Sequence, residues 1–178
     1  MVTLMTADEL FLTSIPDKRT ELVRGVLVVH EPAGYRHGRI ATRLYEVLAT
    51  YAKRTGAGEA FAAEIGFKLA SDPDTVRAPD VGFITVGRLP DANTLGFPAL
   101  GPDLVVEVLS PGDRPGETLA KLGDWLEGGT RLIWVIDPEQ RNARVYRHDG
   151  THAVISADQP LEGEEVLPGF TCVLSAVL

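Results

Sequence analysis

Three residues in this chain have types and positions that chemistry can use. Glu107 interrupts the apolar run Asp103 to Leu109 (DLVVEVL). In a strand alternate residues share a face, so Glu107 lies with Val105 and Leu109, while Leu104, Val106 and Val108 face the other way. An unpaired carboxylate among such neighbours is costly, so it must be protonated, paired with an arginine such as Arg77 or Arg131, at the solvated end of a sheet, or bound to a cation. Asp80 follows Pro79 and opens a second strand that precedes Glu107 by one long loop. Two neighbouring strands could thus bring one carboxylate each to one spot, a donor set suited to Mg²⁺ or Mn²⁺. Asp is also a common turn residue, which gives Asp80 a plainer explanation. Lys121 is the third. Its spacing gives an i,i+4 surface pair with Glu117, and its place at the border of the stripe Leu119, Leu122, Trp125 and Leu126 would also let it reach over the strand ends.

These residues need a framework. Thr6-Ala7-Asp8-Glu9 is a capping box, which predicts a short helix to about Thr13. The alternating segment Glu21 to Val29 predicts two short strands turning at Arg24-Gly25. From Arg36 to Arg54, Ile40, Leu44, Val47, Leu48 and Tyr51 recur at three- and four-residue spacings, the pattern of an amphipathic helix that Gly56 stops. Ala60 to Leu69 reads as one extended segment, and Pro79 to Val86 and Asp103 to Leu109 as strands, with residues 87 to 102 as the loop between them. Pro115 to Glu127 reads as a helix with Pro in its first turn. Arg131 to Asp137 reads as a central strand, and Ala143 to Arg147 with Ala153 to Ser156 as a hairpin. The pattern is α/β, or mixed α+β: a mixed sheet flanked by helices, with one βαβ crossover from the 103 strand through the 115 helix to the 131 strand.

At roughly 150 residues per domain, 178 residues point to one domain spanning 1–178. With 44% apolar and 24% charged residues the chain is ordinary for a globular protein, which excludes disordered, collagenous and coiled-coil classes. The net charge of −8 argues against an obligate high-affinity nucleic-acid binder, so any such contact must be local or metal-assisted. One basic face is hidden in that total. Arg36, Arg39, Arg43, Lys53 and Arg54 stand against only Glu46 in the long helix, as a phosphate track or as ordinary solvated surface. His37, at the start of that helix, could bind a phosphate or move a proton, though a lone histidine often has a structural role. The single cysteine, Cys172, leaves no intrachain disulfide and no thiolate zinc knuckle. There is no signal-peptide pattern and no apolar run near the ~18 residues of a membrane span, so a cytoplasmic location is expected. His30, His148 and His152 lack zinc spacing, and there is no Gly-x-Ser-x-Gly elbow, P-loop or Gly-x-Gly-x-x-Gly fingerprint.

A series of segments, taken in order, carries a family resemblance. They are Thr20-Glu21-Leu22-Val23-Arg24-Gly25, Tyr35-Arg36-His37-Gly38, Arg77-Ala78-Pro79-Asp80-Val81, Pro102 to Pro111 (PDLVVEVLSP), Lys121, Trp134-Val135-Ile136-Asp137-Pro138 and Leu167-Pro168-Gly169-Phe170. Over nearly its whole length the chain resembles the Uma-two family of restriction-endonuclease-like proteins, a branch of the PD-(D/E)XK nuclease superfamily. The resemblance implies a restriction endonuclease-like fold and a phosphodiesterase site in which Asp80 and Glu107 bind a divalent ion, Mg²⁺ or Mn²⁺. In the parent superfamily a lysine follows the second acid by two residues. That position is Leu109 here, and the resemblance implies that Lys121 on the next helix takes its place, with Glu21 as a further acidic member. The aspartate usual four residues ahead of that lysine is Glu117 here.

The expected activity is metal-dependent hydrolysis of DNA phosphodiester bonds, with His37, Arg36, Arg39 and Arg43 as substrate-binding residues. A catalytically inactive DNA- or protein-binding module of the same fold, and a phosphodiesterase acting on RNA or small nucleotides, are the alternatives. One site per chain predicts a homodimer for cutting both strands of a duplex, and the apolar loop Thr94 to Leu100 is a candidate for its interface or for the core.

Overall fold

The computed structural model describes residues 4–13, 15, 16, 18–63 and 65–178. In chain order its elements are α1 (Ala7–Leu12), the hairpin β1 (Arg19–Val23) and β2 (Val26–His30), α2 (Tyr35–Thr55), β3 (Gly58–Ala62), β4 (Phe67–Ala70), β5 (Thr75–Arg77) and β6 (Val81–Thr85). Then come β7 (Leu104–Val108), α3 (Pro115–Glu127), β8 (Leu132–Asp137), β9 (Asn142–Arg147), β10 (His152–Ser156), β11 (Pro160–Glu162) and β12 (Thr171–Val173).

Local chemistry explains the boundaries. Thr6 and Glu9 cap α1 reciprocally, as their spacing requires. The β1–β2 turn places Arg24 and Gly25 at φ 49° and 76°, the left-handed pair that a two-residue hairpin loop needs. Gly56, at φ 67°, ends α2 where a side chain would be strained.

Six strands form the central sheet in the order β10-β9-β8-β7-β6-β3. The β7–β8 pair is parallel, its crossover supplied by α3, and the remaining neighbours are antiparallel. Each face of this mixed sheet is covered by a helix. Ile40, Leu44, Leu48 and Tyr51 of α2 pack on Val81, Leu104, Val106, Val108 and Trp134. Leu122 and Trp125 of α3 pack on Val105, Ile133 and Val135 on the opposite face. That division follows the two-residue alternation along β7, and it explains why β7 is buried on both sides. No helix among the described residues is long and apolar enough to cross a membrane.

A second sheet, in the order β2-β1-β5-β4, accounts for the main departures from the sequence reading. Ala60 to Leu69 is not one strand: β3 closes the edge of the central sheet, and the chain then crosses to the second sheet as β4. Gly66 lies at this crossing, where a Cβ would meet the Phe97 ring at 2.6 Å. Phe97 packs with Ala7, Leu10, Leu22 and Val76, so part of the 94–100 loop is core. The three-residue strand β5 and the β11–β12 pair are too short to give a periodic signal.

Candidate active site

Register brings the acids together. In the antiparallel β6–β7 pair Val81 lies opposite Val106 and Gly82 opposite Val105, so one step further places Asp80 opposite Glu107. In the second sheet Leu22 lies opposite Val76, and the same step places Glu21 opposite Arg77. The three acids lie at the floor of a cleft of about 1970 Å³, walled by β1–β2, the start of α2 and the segment after β7. Glu21, Asp80 and Glu107 are 0%, 3% and 8% exposed.

Every carboxylate oxygen of these acids has a donor. Asp80 Oδ2 accepts from the Val108 backbone N–H at 2.8 Å and from His37 Nε2 at 3.0 Å, and Oδ1 accepts from Arg19 Nη1 at 3.1 Å. Glu107 Oε2 accepts from Lys121 Nζ at 2.9 Å, and Oε1 accepts from the Trp125 indole N–H at 2.8 Å. Glu21 Oε1 accepts from the Ala78 N–H at 3.0 Å and stands 3.2 Å from Lys121 Nζ. Its Oε2 faces Arg77 Nη1 at 2.9 Å and His30 Nε2 at 3.2 Å. The Lys121 ammonium also donates to the Ala78 carbonyl at 3.1 Å. Behind them, Arg77 grips Asp124 Oδ2 through Nε at 2.8 Å and Nη2 at 2.5 Å.

One face of α3 supplies three of these groups. Lys121, Asp124 and Trp125 are spaced i, i+3, i+4, so they project together toward the sheet. Lys121 therefore turns inward, and the surface pair with Glu117 does not form: Glu117 stands 3.4 Å from Arg114 instead. Neither arginine considered as a partner for Glu107 takes that place. Arg77 is held by Glu21 and Asp124, and Arg131 by Asp103 at 2.9 Å.

Burial and charge set the protonation of the cluster. Burial pushes the Glu107 carboxyl up to about 7, with Asp80 and Glu21 adding to the push and Lys121 opposing it. Burial also acts against ionised Asp80, but the His37 hydrogen bond and the Lys121 charge outweigh it and hold Asp80 down at about 2. Glu21 is driven well below the carboxylate range, because Lys121, the His30 contact, Arg77 and the Ala78 N–H together overcome its burial. The hydrogen bond to Asp80 raises His37 against a smaller effect of burial. Four carboxylates, counting Asp124, face three permanent cations, Arg19, Arg77 and Lys121. His37, raised by its bond to Asp80, adds a fourth positive charge when protonated.

The basic helix divides. Arg36 and His37 line the cleft, with Arg36 donating to the Pro138 carbonyl. Arg39 and Arg43, further along α2, are outside the cleft lining, and Arg43 donates to the Leu178 carbonyl at 3.0 Å. Sequence reasoning missed Arg19, His30, Asp124 and Trp125 as members of the cluster. The one available signal was the four-residue step from Lys121 to Trp125, which reads equally well as core packing.

Residues 8–176 match the model of the Uma2 family, described as "Putative restriction endonuclease". No curated protein matches the chain. The structure is similar to the crystal structure of "a putative nuclease belonging to DUF820" from Anabaena variabilis, at 21% sequence identity, with 97% of each chain covered and a TM-score of 0.84. At that identity the likeness is one of fold.

Proposed function

The chain belongs to the Uma2 family, and from that membership we propose that it is a metal-dependent endonuclease hydrolysing DNA phosphodiester bonds, its whole length acting as one restriction endonuclease-like domain. The observation that carries this reading is the Lys121 ammonium, 2.9 Å from Glu107 and 3.2 Å from Glu21 at a cleft floor that also holds Asp80. A pure binding module has no use for three buried acids where a phosphate must approach.

The donor set fits a hard divalent ion. Asp80 and Glu107 are adjacent across two paired strands and offer only oxygen, the ligand Mg²⁺ and Mn²⁺ prefer, and such ions are commonly held by one or two carboxylates with water completing the shell. The upward push on Glu107 is relieved by a cation on these two residues. When bound, the ion supplies a lowered pKa for the attacking water and offsets charge on the phosphate oxygens.

The rest falls to the chain's own groups. Lys121 holds an ammonium beside Glu107, where negative charge would grow on the phosphate, and its burial strengthens the attraction. Glu21 keeps that ammonium charged and in place from the far side, and Ala78 fixes it through its carbonyl. The Val108 N–H and His37 hold Asp80 in one orientation. Arg36 and His37, at the cleft wall, face the incoming backbone, whereas Arg39 and Arg43 have no part in the cleft. Because a duplex has two antiparallel strands and each chain one site, the working unit is a homodimer, acting in the cytoplasm.

A cleavage assay tests this reading. Folded wild-type protein with Mg²⁺ or Mn²⁺ is expected to cut plasmid DNA, and EDTA and Glu107→Ala are each expected to abolish the cutting. Failure of wild type to cut plasmid DNA, with either metal, refutes it. Cutting of RNA alone would transfer the same site to a different substrate.

A further inference from the structure

Glu107 presents its two oxygens to two different groups on one turn of α3. Oε2 meets the Lys121 ammonium at 2.9 Å, and Oε1 accepts a hydrogen bond from the indole N–H of Trp125 at 2.8 Å. The terminal torsion of a glutamate is broad and roughly two-fold, so a buried carboxylate swivels unless both of its oxygens are held. Lys121 is a point charge shared with two other oxygens, the Ala78 carbonyl and Glu21 Oε1, and it meets only one oxygen of Glu107, so by itself it does not set the plane of the carboxylate. Trp125 holds the other oxygen. It is fully buried, wedged between the sheet and an edge contact with Phe67 at 6.4 Å, and its N–H has a single direction.

The second tryptophan makes the contrast. Trp134 is just as buried, on the α2 face of the same sheet, and its Nε1 has no partner among the described residues. Core packing by itself therefore asks nothing of an indole N–H in this fold, whereas at position 125 the N–H is aimed at a carboxylate. We propose that Trp125 is a positioning residue: its indole N–H locks the plane of the Glu107 carboxylate and so fixes which oxygen is offered to a divalent cation shared with Asp80. This rests on the reading of Glu107 as a cation ligand. Hydrogen bonds to ligating carboxylates from groups behind them commonly affect metal affinity by 10-fold or more.

The test replaces tryptophan globally by β-(3-benzothienyl)alanine, which keeps the shape of the indole and puts sulfur where the N–H was. Trp134 serves as its own control, since its N–H donates to nothing described. Mn²⁺ affinity is read by electron paramagnetic resonance alongside circular dichroism and melting. The expected result is an unchanged spectrum with a Mn²⁺ dissociation constant raised about tenfold. Trp125→Phe is expected to give the same direction with added loss of stability. In ¹⁵N-labelled wild type, Mg²⁺ is expected to shift the Trp125 indole resonance and leave that of Trp134 in place. Equal Mn²⁺ affinity in the two proteins, or an unmoved Trp125 resonance at saturating Mg²⁺, overturns the positioning role and leaves the metal reading standing. Wild type that binds no Mn²⁺ overturns the metal reading, and this inference with it.

Discussion

Replacing Glu107 by Gln is expected to stabilise the protein above neutral pH while removing its activity. Burial moves the Glu107 carboxyl from an ordinary 4.5 to about 7 in the folded protein. A raised folded-state pKa means that the native form holds its proton more tightly than the unfolded chain. The stability linked to that proton is fully present below pH 4.5 and is lost as the pH climbs toward 7. At about 1.4 kcal/mol per pH unit, the loss across this window is about 3 kcal/mol. Glutamine stays neutral throughout, so the variant escapes the loss. Its amide has one oxygen for the two donors Lys121 and Trp125, a mismatch that adds an offset independent of pH.

The informative quantity is therefore the difference in unfolding free energy between variant and wild type, measured by urea denaturation in EDTA from pH 4.5 to 8.5. It should rise by about 3 kcal/mol in favour of the variant and flatten above pH 7. In melting temperature that is about 6–12 °C for a chain of this size. Saturating Mg²⁺ should remove most of the slope, since a cation favours ionised Glu107. A difference that stays level across the range in EDTA, or tilts toward wild type, would show that Lys121 outweighs burial and would refute the charge account of the site.

Other perturbations discriminate among the site's members. Lys121→Met leaves Glu107 and Glu21 facing each other without their shared cation, and is expected to cost about 3–5 kcal/mol in thermal or urea unfolding and to abolish cleavage. Adding Glu107→Gln to it should recover part of that stability, and strict additivity of the two changes would contradict direct pairing. Asp80→Asn is expected to eliminate Mn²⁺ binding and to lower the titration midpoint of His37, followed by NMR, because the hydrogen bond to Asp80 is the largest influence raising it. Arg39→Ala and Arg43→Ala should leave KM for DNA within about twofold, whereas Arg36→Ala should raise it; equal effects from all three would restore the whole helix face as a phosphate track.

Local signals were legible where the physics is local. The capping box at Thr6 and Glu9, the stripe Ile40 to Tyr51 and the hairpin turn at Arg24-Gly25 are each decided within a few residues, and each appears where its pattern predicts. The β7–α3–β8 crossover was legible because a largely apolar strand on either side of an amphipathic helix admits few arrangements. The second sheet was not, since nothing in Phe67–Ala70 says which sheet it joins; the partner strand Thr75–Arg77 is three residues long. Within the site, alternation exposed Glu107 as an acid on an apolar face, but the identity of its partners depends on how α3 lies across β7. A helical wheel puts Lys121 at a border and cannot say which way a long, flexible side chain will fold. Trp125 was hidden for another reason: its buried ring accounts for its presence so well that the hydrogen bond on its edge leaves no trace in the sequence.

The same helix also explains how three acids come to be buried at one point without undoing the fold. Unpaired, each would cost more than the sheet gains by closing over it. Here every oxygen has a donor, and the donors come from separate elements: β1 gives Arg19, β5 gives Arg77, α2 gives His37, the β7 backbone gives the Val108 N–H, and α3 gives Lys121 and Trp125. The cluster is thus a junction between the two sheets and the helices, and it forms only when all of them have docked. Its least compensated member is Glu107, whose one ion pair among the described residues is with Lys121, a cation it shares with Glu21, and which burial pushes toward neutrality at the cleft floor. A structural ion-pair network gains nothing by holding a carboxyl near neutrality at the floor of an open cleft, whereas a divalent cation bound there would ionise it.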